Sequence, residues 1–312
     1  MTARIGLPLA SGLLASLLFL TLARGMANGP LIGFLAPLPL MMAGLGLGRM
    51  AALFAAAIGT VAVAVVQERA YGLSFLLMAA LPALVVANRA LSWRVSPAGE
   101  KEWCPAGRVL SWLTLAGIAL FAVAAALLSH HADGVRGWVA AAIGDMLDAV
   151  GDPLPAAERE TAAHMLTKVL PALVVTVWVV MAAINAVLAQ AILVRLGHAR
   201  RPSPVYRDLD LPWWAAAVLA AALVAALAGT GSVGYVAANM AAVAALPFAA
   251  LGIATAHRHL ASRPDGHLGL VVLYGVLVLA FVWALIPAAG LGLVRFTQTR
   301  FRRRASGGGK EE

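Results

Sequence analysis

Nine long apolar stretches, separated by short polar segments, run along the chain: 5–23, 31–48, 50–66, 73–87, 109–129, 169–194, 213–228, 235–256 and 268–294. A helix needs about 17–25 apolar residues to cross the hydrocarbon of a bilayer, and most of the stretches reach that. Those at 73–87 and 213–228 are short. The last is long and holds Pro287 and Gly290, where it is expected to break and re-enter. A membrane β-barrel would show segments of about ten residues with alternating polarity, and none occurs. The pattern predicts an all-α fold: a polytopic transmembrane helical bundle of eight or nine membrane segments. It forms a single integral membrane domain over residues 1–304, followed by a flexible tail over 305–312. The first stretch exceeds the roughly 7–15 residues of a signal-peptide core and is expected to remain as the first helix.

Composition agrees. Hydrophobic residues make up 62% of the chain and charged residues 12%, against about 25% charged in soluble domains. The mean hydropathy is +0.88. The lipid bilayer is therefore the expected surrounding. No Lys, Arg, Asp, Glu or His falls inside the nine stretches. Intramembrane ionisable groups carry most proton relays and ion coupling, so the pattern argues against a proton-driven pump. Sodium sites built from backbone carbonyls remain compatible with it.

Charge sets the expected orientation. The loops 88–108 and 195–212 carry four basic residues each, whereas 130–168 carries six acids against three bases. By the positive-inside tendency the basic loops face the cytoplasm and the acidic loop lies outside, with the N-terminus cytoplasmic and the inner (plasma) membrane as location. The basic C-terminal residues, Arg295 to Lys310, call for the cytoplasm, which a re-entrant last segment satisfies. The acidic loop is expected to hold an amphipathic helix around Val139–Val150 and a second, short helix over 156–168.

Recognisable chemistry is sparse. Residues 229–234 match G-x-G-x-x-G, but an Ala-rich span precedes them and no acid follows about 20 positions on, so the string reads as a tight turn between membrane segments. There is no Walker A string; energy for any ATP-driven process must come from another subunit. His130, His131 and Asp133 are spaced poorly for a shared metal, and Cys104 is the only cysteine. No catalytic residue, metal, cofactor or nucleic-acid partner is expected, and no enzymatic activity.

The remaining candidates are polar groups in or beside the spans. Glu68 and Arg69 lie in an outer turn, Asn185 and Gln190 in the sixth segment, and Tyr235 and Asn239 at the outer end of the eighth. Each such group forms either an interhelical hydrogen bond or a ligand contact. Trp178, Tyr274 and Trp283 could line a cavity. Gly44 and Gly48 form a small-xxx-small pair, and Ala51, Ala52, Ala55, Ala56 and Gly59 line the next helix. Such faces pack within a bundle or dock a partner membrane protein; Arg201 and Arg207 in the basic loop are further docking candidates.

Residues 33–48 (GFLAPLPLMMAGLGLG), residues 201–214 (RPSPVYRDLDLPWW) and the stretch from Asn239 through Leu246-Pro247-Phe248 to Gly252 and His257 resemble the YybS-like family of bacterial integral membrane proteins, a family of unknown function, over roughly residues 5–304. The order of segments is also similar to the S-components of energy-coupling-factor vitamin transporters. That likeness implies a compact bundle that captures a small molecule and borrows an ATPase module. The expected function is thus a transport-associated membrane protein binding a small solute without its own ATPase. The alternative is a membrane scaffold or assembly partner with no small-molecule ligand.

Overall fold

In the computed structural model, described for residues 2–96, 98–130, 134–150, 155–206 and 209–307, long apolar sequences take the only spanning form whose backbone groups are all satisfied within one segment, the α-helix. The described residues are 82% helical. Among the described residues, eight helices are long and apolar enough to cross a membrane. Two shorter apolar helices, Trp213–Ala228 and Gly266–Leu279, accompany them. The all-α polytopic architecture stands as the hydrophobic pattern predicts. Large apolar side chains lie open on the surface, Leu279 at 90% and Leu227 at 87%, as lipid-facing positions require.

The chain forms two compact units. The first comprises residues 1–113 and 177–205. Its elements are α1 (Thr2–Ala23), α2 (Gly29–Gly33), α3 (Pro37–Leu47), α4 (Arg49–Val66), α5 (Arg69–Phe75), a single π-helical turn (Leu76–Ala80) and α6 (Leu81–Ala90). A two-stranded hairpin, β1 (Trp93–Val95) and β2 (Lys101–Trp103), precedes α7 (Ala106–Leu128), whose first turns belong here. Small residues set the packing. A Cβ on Gly12 of α1 would lie 2.5 Å from Ala55 O of α4, and one on Gly59 would lie 2.7 Å from the Phe75 ring. Phe75 in turn meets Phe19 edge-on at 5.4 Å. The small face of α4 is therefore consumed inside the unit.

The second unit comprises residues 114–176 and 206–312. It holds α8 (Gly134–Val150), the first half of α9 (Ala156–Arg195), α10 (Trp213–Ala228), α11 (Gly231–Ala244), α12 (Leu246–Ala261), α13 (Gly266–Leu279) and α14 (Phe281–Gly307). The glycine-rich string 229–234 is the turn joining α10 to α11, with no strand before it. Leu211, Ala215 and Leu219, one face of α10 and its approach, pack on Ala244, Phe248 and Leu251. Farther along, α12 and α14 touch backbone to backbone: a Cβ on Gly252 would collide with Ala288 O, and one on Gly292 with Phe248 O. Phe248 also meets Phe296 at 5.5 Å. One turn forward on α12 is one turn back on α14, so the two run antiparallel.

Two expectations are corrected. The short outer helix over 156–168 is not separate; it is the start of the 40-residue α9. At 1.5 Å per residue α9 is about 60 Å long, roughly twice the hydrocarbon thickness. Glu158, Arg159, Glu160 and His164 occupy its first turns, where Arg159 pairs with Asp148 of α8. Good helix formers without Gly or Pro give the chain no reason to stop before Pro171. The last stretch breaks at Ala280, whose backbone leaves the helical region (φ −124°, ψ 43°), and not at Pro287. With the break there, Pro287 falls in the second turn of α14, where a single lost N–H is tolerated.

Candidate functional site

Prolines inside apolar helices organise the polar chemistry of both units. Each proline withholds an N–H, and the carbonyl it would have served is stranded where no water can reach it.

In the second unit the proline is Pro171 of α9. Its missing N–H is the one that would bond Thr167 O, four residues back. Tyr235 of α11 donates its hydroxyl to that oxygen at 2.6 Å. One turn on, the Asn239 Oδ1 accepts the Ala172 N–H at 2.9 Å, and Asn239 Nδ2 donates to Tyr235 O at 3.0 Å. The repair is closed: both ends of the buried Asn239 amide are used.

The first unit has two such breaks, and the second half of α9 answers both. Pro37 and Pro39 separate α2 from α3; Leu38 N–H bonds Leu35 O instead of Phe34 O, and Asn185 Nδ2 fills the vacancy by donating to Phe34 O at 2.8 Å. The same Nδ2 donates to Met181 O at 2.9 Å. At the π turn, Leu81 N–H reaches back five residues to Leu76 O. In that register Leu77 O would need the N–H of residue 82, which is a proline. Trp178 Nε1 donates to Leu77 O at 3.2 Å. Trp178 and Asn185, seven residues apart, share one face of α9.

Asn185 differs from Asn239 in one respect. It is 1% exposed, yet its Oδ1 has no hydrogen-bond partner. A buried acceptor left in this state costs about 1–3 kcal/mol.

The other expected residues are placed as follows. Glu68 and Arg69 are exposed at the turn from α4 to α5. Gly44 fits against Ala87 and Ala52, and Gly48, at φ +113°, makes room for the Arg200 guanidinium; both are packed within the unit. Arg201 is 7% exposed and donates to Ala90 O at 2.8 Å and Cys104 O at 3.1 Å, capping the end of α6. Gln190 Nε2 donates to Arg201 O. Arg207, His131 and Asp133 lie outside the described residues. Tyr274 bonds His257 at 3.0 Å, and Trp283 is exposed. Among the described residues no group of three metal-ligating side chains converges. Burial pushes the Cys104 thiol up, against the opposing pull of Arg108, Arg201 and Arg89.

Sequence reasoning singles out Asn185, Tyr235 and Asn239 but gives Thr167 no role and Trp178 only a place in a cavity wall. The signal that finds the carbonyl partners is a proline within an apolar run, counted back three to five residues according to the local helical register.

No curated protein and no solved structure matches the chain. The sequence model of one family, described as "Predicted membrane protein (DUF2232)", matches residues 13–294, a span that includes both proline-repair sites, and the chain belongs to that family of membrane proteins.

Proposed function

We propose that this is a transport-associated, multi-pass protein of the inner (plasma) membrane that binds a small solute in its first unit, in the manner of an S-component. It has a cytoplasmic N-terminus, catalyses no reaction and is energised by a separate ATPase-bearing partner. The observation that supports this reading is the orphaned Oδ1 of Asn185 beside the break between α2 and α3. Unmatched buried acceptors in native proteins call for an explanation, and interrupted membrane helices are where transporters place their ligands. The groups at the break are backbone carbonyls and a neutral amide, so the solute they suit is uncharged and offers a hydroxyl or N–H donor.

The test is native mass spectrometry of the detergent-purified protein beside an Asn185→Leu variant of equal helicity by circular dichroism. The expected result is a small-molecule adduct on the wild type that the variant lacks, and an ATPase subunit recovered by cross-linking before extraction. An adduct carried equally by both proteins, or none on either together with no ATPase subunit, overturns the reading.

A further inference from the structure

The hairpin between α6 and α7 has two unlike faces. Trp93 pairs with Trp103, Val95 with Lys101 and Arg94 with Glu102. Alternation along a strand puts Trp93, Val95, Lys101 and Trp103 on one face, and the Arg94–Glu102 ion pair (2.8 Å) on the other. Most of the aromatic face is open: Trp93 is 55% exposed and Val95 62%, while Trp103 is half-buried with the Arg201 guanidinium 5.9 Å from its ring centre. The Lys101 ammonium sits 4.7 Å from the Trp93 ring centre and 4.0 Å from that of Trp103. A ring face attracts the cation without neutralising it, so its N–H groups stay able to bind an anion.

The hairpin is also held at one depth. It begins three residues after α6 and ends three residues before α7. Cys104 N–H bonds Ser92 O at 2.9 Å across its base. Arg201 ties that base to the last carbonyl of α6. Strands of three residues reach about 10 Å, enough to cross one headgroup layer of about 5–8 Å. Isolated two-stranded hairpins are marginal in water; this one stands at the end of apolar helices, where indoles favour the membrane–water boundary. Arg49 donates to Ser92 at the base of the hairpin at 3.1 Å, and the hairpin's own Arg94 and Lys101 are matched in number by Glu100 and Glu102.

We propose that the Trp93/Lys101/Trp103 face is a binding site for anionic phospholipid headgroups. The two indoles seat at the glycerol level and the Lys101 ammonium receives the phosphate.

The test uses the full-length protein in nanodiscs of phosphatidylcholine with a minority of phosphatidylglycerol, with bromine carried on one lipid or the other to quench tryptophan. The hairpin signal is the difference between wild type and a Trp93→Phe/Trp103→Phe variant. The expected result is stronger quenching from brominated phosphatidylglycerol, corresponding to about fivefold enrichment at the hairpin. In Lys101→Gln, a change at an exposed side chain, that preference falls to the bulk ratio while quenching by brominated phosphatidylcholine persists. Inorganic phosphate, at the ionic strength of a chloride control, leaves the preference intact. Equal quenching by both lipids overturns the proposal, as does a preference that survives Lys101→Gln. Selective loss of the preference with inorganic phosphate overturns it too, in favour of a soluble phosphate ligand.

Discussion

Asn239 and Asn185 meet the same problem in the two units and solve it differently. Each amide sits beside a proline of an apolar segment and hydrogen-bonds a backbone group close to it. Asn239 works with Tyr235, and its carbonyl and amino ends are both engaged. Asn185 spends its amino group twice and leaves its carbonyl oxygen unmatched. A closed repair holds a helix together. An open one keeps hydrogen-bonding capacity in hand, and this separates a structural asparagine from a candidate ligand contact even though both are almost fully buried.

The largest expected effect that tests this contrast is Asn239→Leu. It removes the bonds to the Ala172 N–H and to Tyr235 O and should destabilise the folded protein by about 1–3 kcal/mol, read by denaturant titration in mixed micelles. Stability equal to wild type would remove the idea of a closed repair. Next is the pairing of Pro171 with Tyr235. Tyr235→Phe should cost about 0.6–1.7 kcal/mol, the range for interhelical bonds in membranes. In a Pro171→Ala background the restored backbone N–H can bond Thr167 O itself, and the same change should be nearly neutral. Additive losses in the double-mutant cycle would show that Tyr235 does not serve the proline break. Smaller is Asn185→Leu: the bond to Phe34 O goes, but so does the orphaned oxygen, and the net loss should stay below about 1 kcal/mol. A loss matching that of Asn239→Leu would erase the distinction.

The smallest effect concerns reactivity. Cys104, the single thiol, reports on the first unit. Burial disfavours its thiolate and the arginines around it favour the thiolate, burial being the larger influence. Maleimide labelling should therefore be slower than for a free thiol at neutral pH, accelerate as pH rises past the usual thiol range, and slow further in Arg89→Ala. The same label separates the units: partial denaturation of Asn239→Leu should leave Cys104 protected if the damage stays in the second unit.

The membrane class and nearly all the spans were legible because length and unbroken apolarity are one-dimensional properties. The boundaries at 156–168 and Ala280 were not. The first is missed because an amphipathic helix and a membrane helix can share one backbone with no stop signal between them. The second is missed because Ala280 carries no breaker of its own, whereas Pro287 advertises a break that its place in the second turn of α14 makes unnecessary. Of the candidate site, the polar residues were visible and their partners were not. Trp178 and Leu77 are 101 residues apart, and Asn185 and Phe34 are 151 apart. Arg201 reads in sequence as a loop cation facing the cytoplasm; its role as a buried cap on α6 depends on a fold that brings Ala90 and Cys104 to it.

At the crossing of α12 and α14, two peptide ribbons meet with nothing between them at Gly252 and Gly292. Ridges that normally interlock are missing at that point. Sliding is blocked: one turn either way brings a methyl or a phenyl ring into the gap, with Phe248 and Phe296 standing as stops. The pair is keyed like a lock with one setting, fixed in its register.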